Sequence, residues 1–243
     1  MIKKAIIGML ISYTCLGGVF SQNLDKDLNS ANQVFIKNNN FSVDFKFRYF
    51  KHLPKEKPVF TVLNKAYRYQ NRFYLWTEER EFIYKNNLSL VVDYKNGLIA
   101  LQEANNPINE ILSSTKLSNA IKSYKYDFKI ENNSKVYTVN YPLNNKEQIK
   151  KLQIQLRKSD NMFQKMIVYY NSEIGTYKNN NESATAYSVM EIAYENFKLN
   201  TSDAVSLTDF DMYISINGDK AVLKTAFNKY TLSDLRIKKT KKK

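Results

Sequence analysis

Cysteine, histidine, glycine and proline are all scarce in this chain of 243 residues, which has one Cys, one His, six Gly and four Pro. Each scarcity excludes some chemistry. Cys15 lies in an N-terminal segment that reads as a removable leader, so the rest of the chain has no thiol: no disulfide, no cysteine-ligated zinc, no cysteine nucleophile. Only Gly97, Gly175 and Gly218 follow the leader, none near another. That leaves no P-loop, no glycine-rich dinucleotide turn and no nucleophile elbow, all of which need clustered glycines for close backbone approach. His52, the sole imidazole, sits in Lys51-His52-Leu53-Pro54 where a strand runs out, so a surface position is expected and imidazole-based zinc catalysis is not. Glu79 and Glu81, and Asp209 and Asp211, are each spaced two apart, as an acid and a nucleophile on one strand face would be. Charged residues at strand edges more often guard against edge pairing. The chain is therefore read as a non-enzyme, with no cofactor and no metal.

What the chain does have is positive charge and aromatic rings. Lys and Arg number 37 against 23 Asp and Glu, a formal net charge of +14, and 14% of residues are aromatic. The rings and a hydrophobic share of 43% are enough for a folded core. Met1-Ile2-Lys3-Lys4 is a short basic start, and Ala5 to Phe20 is uncharged and apolar. This layout predicts a signal peptide over residues 1–21, cleaved after Ser21, and hence export to the periplasm. Cys15 follows Ser12-Tyr13-Thr14, a poor match to a lipoprotein acylation site. At the other end Lys238, Lys239, Lys241, Lys242 and Lys243 form a basic tail over 238–243, read as solvated, with an anionic envelope surface as its possible partner. Stretches such as Lys65-Ala66-Tyr67-Arg68-Tyr69 interleave rings with cations as a single-strand nucleic-acid binder would. Export and ordinary core alternation argue against that partner.

Between leader and tail, residues 22–237 read as a single β-rich domain and as a monomer. Phe41, Val43, Phe45, Phe47 and Tyr49 alternate with polar residues, as do Tyr124 to Ile130 and Leu152 to Leu156. Asn96-Gly97 and Asn217-Gly218 predict tight hairpins of type I′, and Asp160-Asn161 predicts a third turn. Asn171 to Ser183 reads as a surface loop. Helical spacing appears at Leu24, Leu28, Ala31 and Phe35, and again after Pro107, with Ile108, Ile111 and Leu112 beneath. The predicted fold is mainly β (α+β): a strongly curved antiparallel sheet, an open half-barrel, with a few helices packed on its concave face.

This order of signal peptide, helix, long strand ladder, short helical insert and second ladder resembles the LolA-like outer-membrane lipoprotein carrier superfamily. Two stretches add to it: Arg72-Phe73-Tyr74-Leu75-Trp76 looks like that family's short strand with a central Trp, and Asn196-Phe197-Lys198-Leu199-Asn200 followed by Phe210 looks like its C-terminal run. The abundant Lys and Asn resemble the style of exported Bacteroidetes proteins. The resemblance implies a periplasmic carrier or chaperone that shelters a lipoprotein or lipid acyl chain in an apolar cavity. The alternative is a structural accessory of an envelope assembly that binds protein partners. Phe45, Phe47, Tyr74, Trp76, Ile111 and Leu112 are the residues expected to line the cavity. On the strand of Trp76, Tyr74 shares its face while Phe73 and Leu75 take the other, so both faces there are apolar.

Overall fold

The computed structural model describes residues 23–54, 56–105, 121, 124–142, 148–176 and 185–236. The leader, the Lys tail, and the predicted second helix with Ile108, Ile111 and Leu112 lie outside them. The described residues form one twelve-stranded sheet, a two-stranded hairpin and two α-helices.

Helix α1 spans Leu24–Lys37. Its start is set by Asn23, whose side chain accepts a hydrogen bond from the Lys26 backbone N–H, with Asp25 and Asp27 in the first turn and Lys37 in the last, each sign favoured at its end of the helix dipole. The chain then runs through β1 (Asn40–Phe50), β2 (Phe60–Tyr69), β3 (Arg72–Thr77), β4 (Arg80–Lys85), β5 (Leu88–Asp93) and β6 (Leu98–Glu103) as a continuous antiparallel meander. A second meander follows: β7 (Tyr126–Glu131), β8 (Ser134–Asn140), β9 (Ile149–Arg157), β10 (Phe163–Thr176) and β11 (Thr185–Leu199). The two join where β11 pairs with β1, so the first and last long strands lie side by side at the centre of the sheet. The sheet is open, with β7 at one edge and the short parallel strand β14 (Thr231–Asp234) beside β6 at the other.

Paired residues share a sheet face and neighbours along a strand alternate. The register therefore sorts the side chains. Phe41 and Val43 lie on one face with Ala66, Phe73, Leu75, Phe82 and Tyr84, while Ser42 and Asp44 lie on the other with Tyr67, Tyr74, Trp76, Glu81 and Ile83. Helix α1 crosses the first face over both meanders. Leu24, Leu28 and Ala31 pack on Tyr137, Val139 and Ile154, and Phe35 packs with Phe41, Val43, Ala66 and Phe73. Arg68 of β2 donates to the Phe35 and Ile36 carbonyls, capping the C-terminal end of the helix, and Asp27 accepts from Lys135 and from the Tyr137 hydroxyl.

The opposite face has a different cover. Helix α2 (Asp203–Leu207), a 3-10 turn at Phe210–Met212, the hairpin β12 (Ile214–Asn217) and β13 (Lys220–Leu223), and a second 3-10 turn at Thr225–Phe227 make up the C-terminal segment. Phe210, Tyr213 and Ile214 pack there on Tyr74, Ile83, Leu90, Val92, Ile99 and Leu101. The two described helices thus divide between the faces, where the sequence pattern put helices on one. Across the central strands this face is ion-paired: Arg48 and Lys165 both meet Glu191, at 2.8 and 2.9 Å, and Lys46 meets Glu195 at 2.7 Å.

Turn chemistry also differs in detail from the prediction. Two connections carry positive φ at both central residues, as a type I′ turn requires, and both are Asn-Asn: Asn86-Asn87 between β4 and β5, and Asn132-Asn133 between β7 and β8. At Asn96-Gly97 only Gly97 has positive φ, in a four-residue loop closed by Asp93, whose carboxylate accepts from the Asn96 backbone N–H. At Asn217-Gly218 the positive φ is Gly218's, the first position of a two-residue loop, which is the type II′ pattern. The expected surface loop at Asn171 begins later than predicted, because β10 continues to Thr176 after a register shift between Tyr169 and Ile174. Residues 177–184 lie outside the described set.

Candidate functional site

The face crossed by α1 carries a ladder of rings. Phe45 pairs with Tyr194 across β11, and Phe47 pairs with Val62 and Ile192. Phe45 and Phe47 meet edge to face with centroids 5.8 Å apart, Tyr49 stacks on Phe60 at 4.0 Å, and Tyr187 packs edge-on against Tyr49 at 4.8 Å. Phe163 closes on Tyr194 at 5.6 Å. Burial pushes the Tyr194 hydroxyl up to about 12, and Tyr170 likewise to about 12 through burial and the neighbouring Tyr187 and Tyr49, so both stay neutral at any physiological pH. This face presents apolar surface and uncharged hydroxyls along the centre of the sheet.

Two cavities of about 330 Å³ each open on it. One lies over β3, β4 and β5, lined among the described residues by Phe73, Leu75, Phe82, Ile83, Tyr84, Ser89, Ala104 and Asn105. It is almost wholly apolar. The other lies at the seam of α1 with β1, β10 and β11, where Phe35, Val43, Met162, Phe163 and Tyr194 meet polar groups. Those polar groups are already engaged: Arg157 with Asp160, Gln164 with Ser134, Glu195 with Lys46 and Arg48, and Asn196 with Asp44. The first cavity is the better candidate for a ligand, since an apolar concavity with few polar groups suits an apolar guest.

The structure brings together only part of the expected lining. Phe45 packs within the cluster of Phe41, Val43 and Phe73 on the α1 face, with Phe47 against it. Tyr74 and Trp76 lie on the opposite face, beneath the C-terminal segment with Phe210 and Tyr213. Ile111 and Leu112 lie outside the described residues. The cavity residues Phe73, Leu75, Phe82 and Tyr84 were visible as the other parity of the same strands. The deciding signal was the apolar pattern of the C-terminal segment, Leu207, Phe210, Tyr213, Ile214, which claims the Trp76 face for itself.

Three of the four paired carboxylates, Glu79, Glu81 and Asp209, already have partners. Glu79 is exposed beside Lys95, whereas Glu81 is buried and accepts a short hydrogen bond from the Tyr213 hydroxyl. Burial and Glu81 together raise the hydroxyls of Tyr74, Tyr94 and Tyr213 far above the ordinary phenol range. Asp209 holds Arg72 at 3.1 Å and Lys85 at 2.7 Å, pinning the C-terminal segment to β3 and β4. Among the described residues no group of three or more His, Cys, Asp or Glu is placed to hold a metal, and no helix is long and apolar enough to cross a membrane.

Comparison with solved structures finds chains to which this one is similar, among them a LolA superfamily protein. That protein, from Nitrosomonas europaea, is 11% identical over 78% of this chain and 99% of its own, with a TM-score of 0.34. A putative outer membrane lipoprotein-sorting protein domain from Vibrio parahaemolyticus is 10% identical over 77% of this chain and 100% of its own, with a TM-score of 0.32. An uncharacterized conserved protein from Thermus thermophilus is 7% identical over 88% of this chain and 99% of its own, with a TM-score of 0.45. No family model and no curated protein matches the chain. What the site can do follows from its own residues.

Proposed function

We propose that this chain is an exported, non-enzymatic carrier that shelters an acyl chain, free or on a lipoprotein, on the face crossed by α1. The observation that carries this reading is the apolar cavity of about 330 Å³ bounded by Phe73, Leu75, Phe82 and Tyr84, of which Phe73, Leu75 and Tyr84 belong to one apolar cluster with Phe41, Val43 and Phe45 of β1. An acyl chain laid there exchanges water for ring faces at roughly 25 cal/mol per Å² of apolar surface buried. The leader read over 1–21 supports a periplasmic location, and the Lys tail offers a contact to an anionic envelope surface. Acting as a monomer, the carrier needs no cofactor.

A second reading has its own support. Edge strand β7 has no neighbouring strand on its outer side among the described residues and exposes Ile130, 52% accessible, as a protein that takes on a partner strand would. Calorimetric titration of the full chain with a long-chain fatty acid below its micelle concentration separates the two. A carrier binds saturably, and Phe82→Glu weakens binding at least roughly tenfold, because a carboxylate in the cavity must be desolvated by the guest. Phe82 is 37% exposed, so the variant keeps its fold. Absence of saturable binding by the unaltered protein removes the carrier reading and leaves the edge strand as the site of action.

A further inference from the structure

Edge strand β7 carries a charge pattern with an internal symmetry. From Lys125 to Glu131 the chain reads Lys-Tyr-Asp-Phe-Lys-Ile-Glu, a palindrome about Phe128 in which the signs of the charges invert: Asp127 mirrors Lys129, Lys125 mirrors Glu131, and Tyr126 mirrors Ile130. All of these but Phe128 are exposed. Glu131 and Ser134 close the two-residue loop Asn132-Asn133 and so exchange backbone hydrogen bonds, as Lys129 then does with Val136 and Asp127 with Thr138. Phe128 and Ile130 therefore point their N–H and C=O groups away from β8, to the side on which no described strand lies. The side chains of Asp127, Lys129 and Glu131 share one face of the sheet, while Phe128 meets Tyr137 on the other with centroids 5.0 Å apart.

We propose that β7 pairs antiparallel with β7 of a second copy of this chain about a two-fold axis at Phe128, joining two sheets into one. In that register Asp127 faces the second copy's Lys129, Lys125 faces its Glu131, each pair occurs twice by symmetry, and exposed Ile130 is covered by the second copy's Tyr126. The outward groups of Phe128 and Ile130 gain backbone partners. Moving the axis by one residue brings like charges together: at Lys129 that residue opposes itself and Asp127 meets Glu131, and at Asp127 that residue opposes itself and Lys125 meets Lys129. A row of lysines guards an edge against all pairing, whereas signs that invert about a centre select one register. The ion pair of Lys129 with Glu131 within the strand, at 2.7 Å, is solvent-exposed and is given up at little cost. The inference rests on the edge-strand reading and makes a second copy the partner. A contact of one six-residue strand per copy is smaller than a standard interface, so the dimer forms reversibly on concentration and the dilute protein is the monomer of the carrier reading. The cavity over β3 to β5 is in the other meander and takes no part.

The test is sedimentation equilibrium of the full chain at low salt, with Asp127→Lys and Lys129→Glu, both at exposed positions. The unaltered protein shows a monomer–dimer equilibrium with a Kd below ~1 mM. Each variant alone sets like charges across the axis and weakens self-association at least roughly tenfold. Mixed in equal amounts the two variants associate with each other, since each supplies the charges the other faces, and the double variant dimerises as the unaltered chain does. A protein that stays monomeric at ~1 mM overturns the self-pairing and leaves the edge-strand reading standing for a different partner. Self-association that ignores the single variants, or that grows past the dimer by joining β7 to the opposite sheet edge, overturns it too. The fatty-acid titration of the dilute protein judges the carrier reading separately.

Discussion

Glu81 is 7% exposed and shares its surroundings with three phenols, of which Tyr213 donates directly to it. Tyr213 arrives from the C-terminal segment and Glu81 from β4, so this bond ties the cover of one face to the sheet. Tyr213→Phe should lower stability by about 1–3 kcal/mol, the usual effect of removing a donor from a buried acceptor, as read from the urea midpoint. The same cluster fixes a pH dependence. Burial, then Glu81, raises the hydroxyls of Tyr74 and Tyr213, so the folded state keeps those protons at pH values where the unfolded chain releases them. Stability from these groups is fully present below the ordinary tyrosine value near 10 and is lost as pH rises beyond it. Urea midpoints taken between about pH 9 and pH 11 should fall. Titration of Tyr74 and Tyr213 themselves near 10, resolved residue by residue by NMR in a protein that stays folded, would contradict the buried cluster.

At the scale of elements, α1 depends on the sheet at both ends. Leu28 is 0% exposed, and burying a side chain of that kind contributes about 1.5–3 kcal/mol, yet the last carbonyls of the helix need a donor too. Arg68 supplies it, at 2.6 Å to the Phe35 carbonyl. Arg68→Met keeps much of the stem and removes the donor, and should cost about 1.5–3 kcal/mol by chemical denaturation, the range of a hydrogen bond to a charged group. The helix itself was legible, because Leu24, Leu28, Ala31 and Phe35 follow helical period and are the residues that bury. The strands were legible for the same reason at period two. The turns were less so: Asn-Gly is the expected type I′ signal, whereas Asn86-Asn87 and Asn132-Asn133 adopt that conformation, asparagine being among the residues besides glycine that enter positive φ most readily. The face on which Trp76 lies could not be read from its own strand, since both parities there are apolar. It was decided by Phe210, Tyr213 and Ile214, residues more than a hundred positions away.

The molecule as a whole is a sheet with two differently covered faces. One is sealed over β2 to β6 by the C-terminal segment, the other crossed by α1 beside the cavity of Phe73, Leu75 and Ser89. If the acyl chain enters on the α1 side, Trp76 is screened from it by the thickness of the sheet. Its emission should then stay constant as a fatty acid is added. Moving the reporter by one residue, with Leu75→Trp in a Trp76→Phe background, places the indole on the cavity face, and its emission should shift saturably over the concentration range in which calorimetry detects binding. Ligand at about one hundred times its Kd should also stabilise the folded state by about 2.7 kcal/mol in either protein. A saturable shift at Trp76 itself, with none at position 75, would put the ligand under the C-terminal segment and reverse the assignment of the two faces, because a one-residue step along a strand exchanges one side of the sheet for the other.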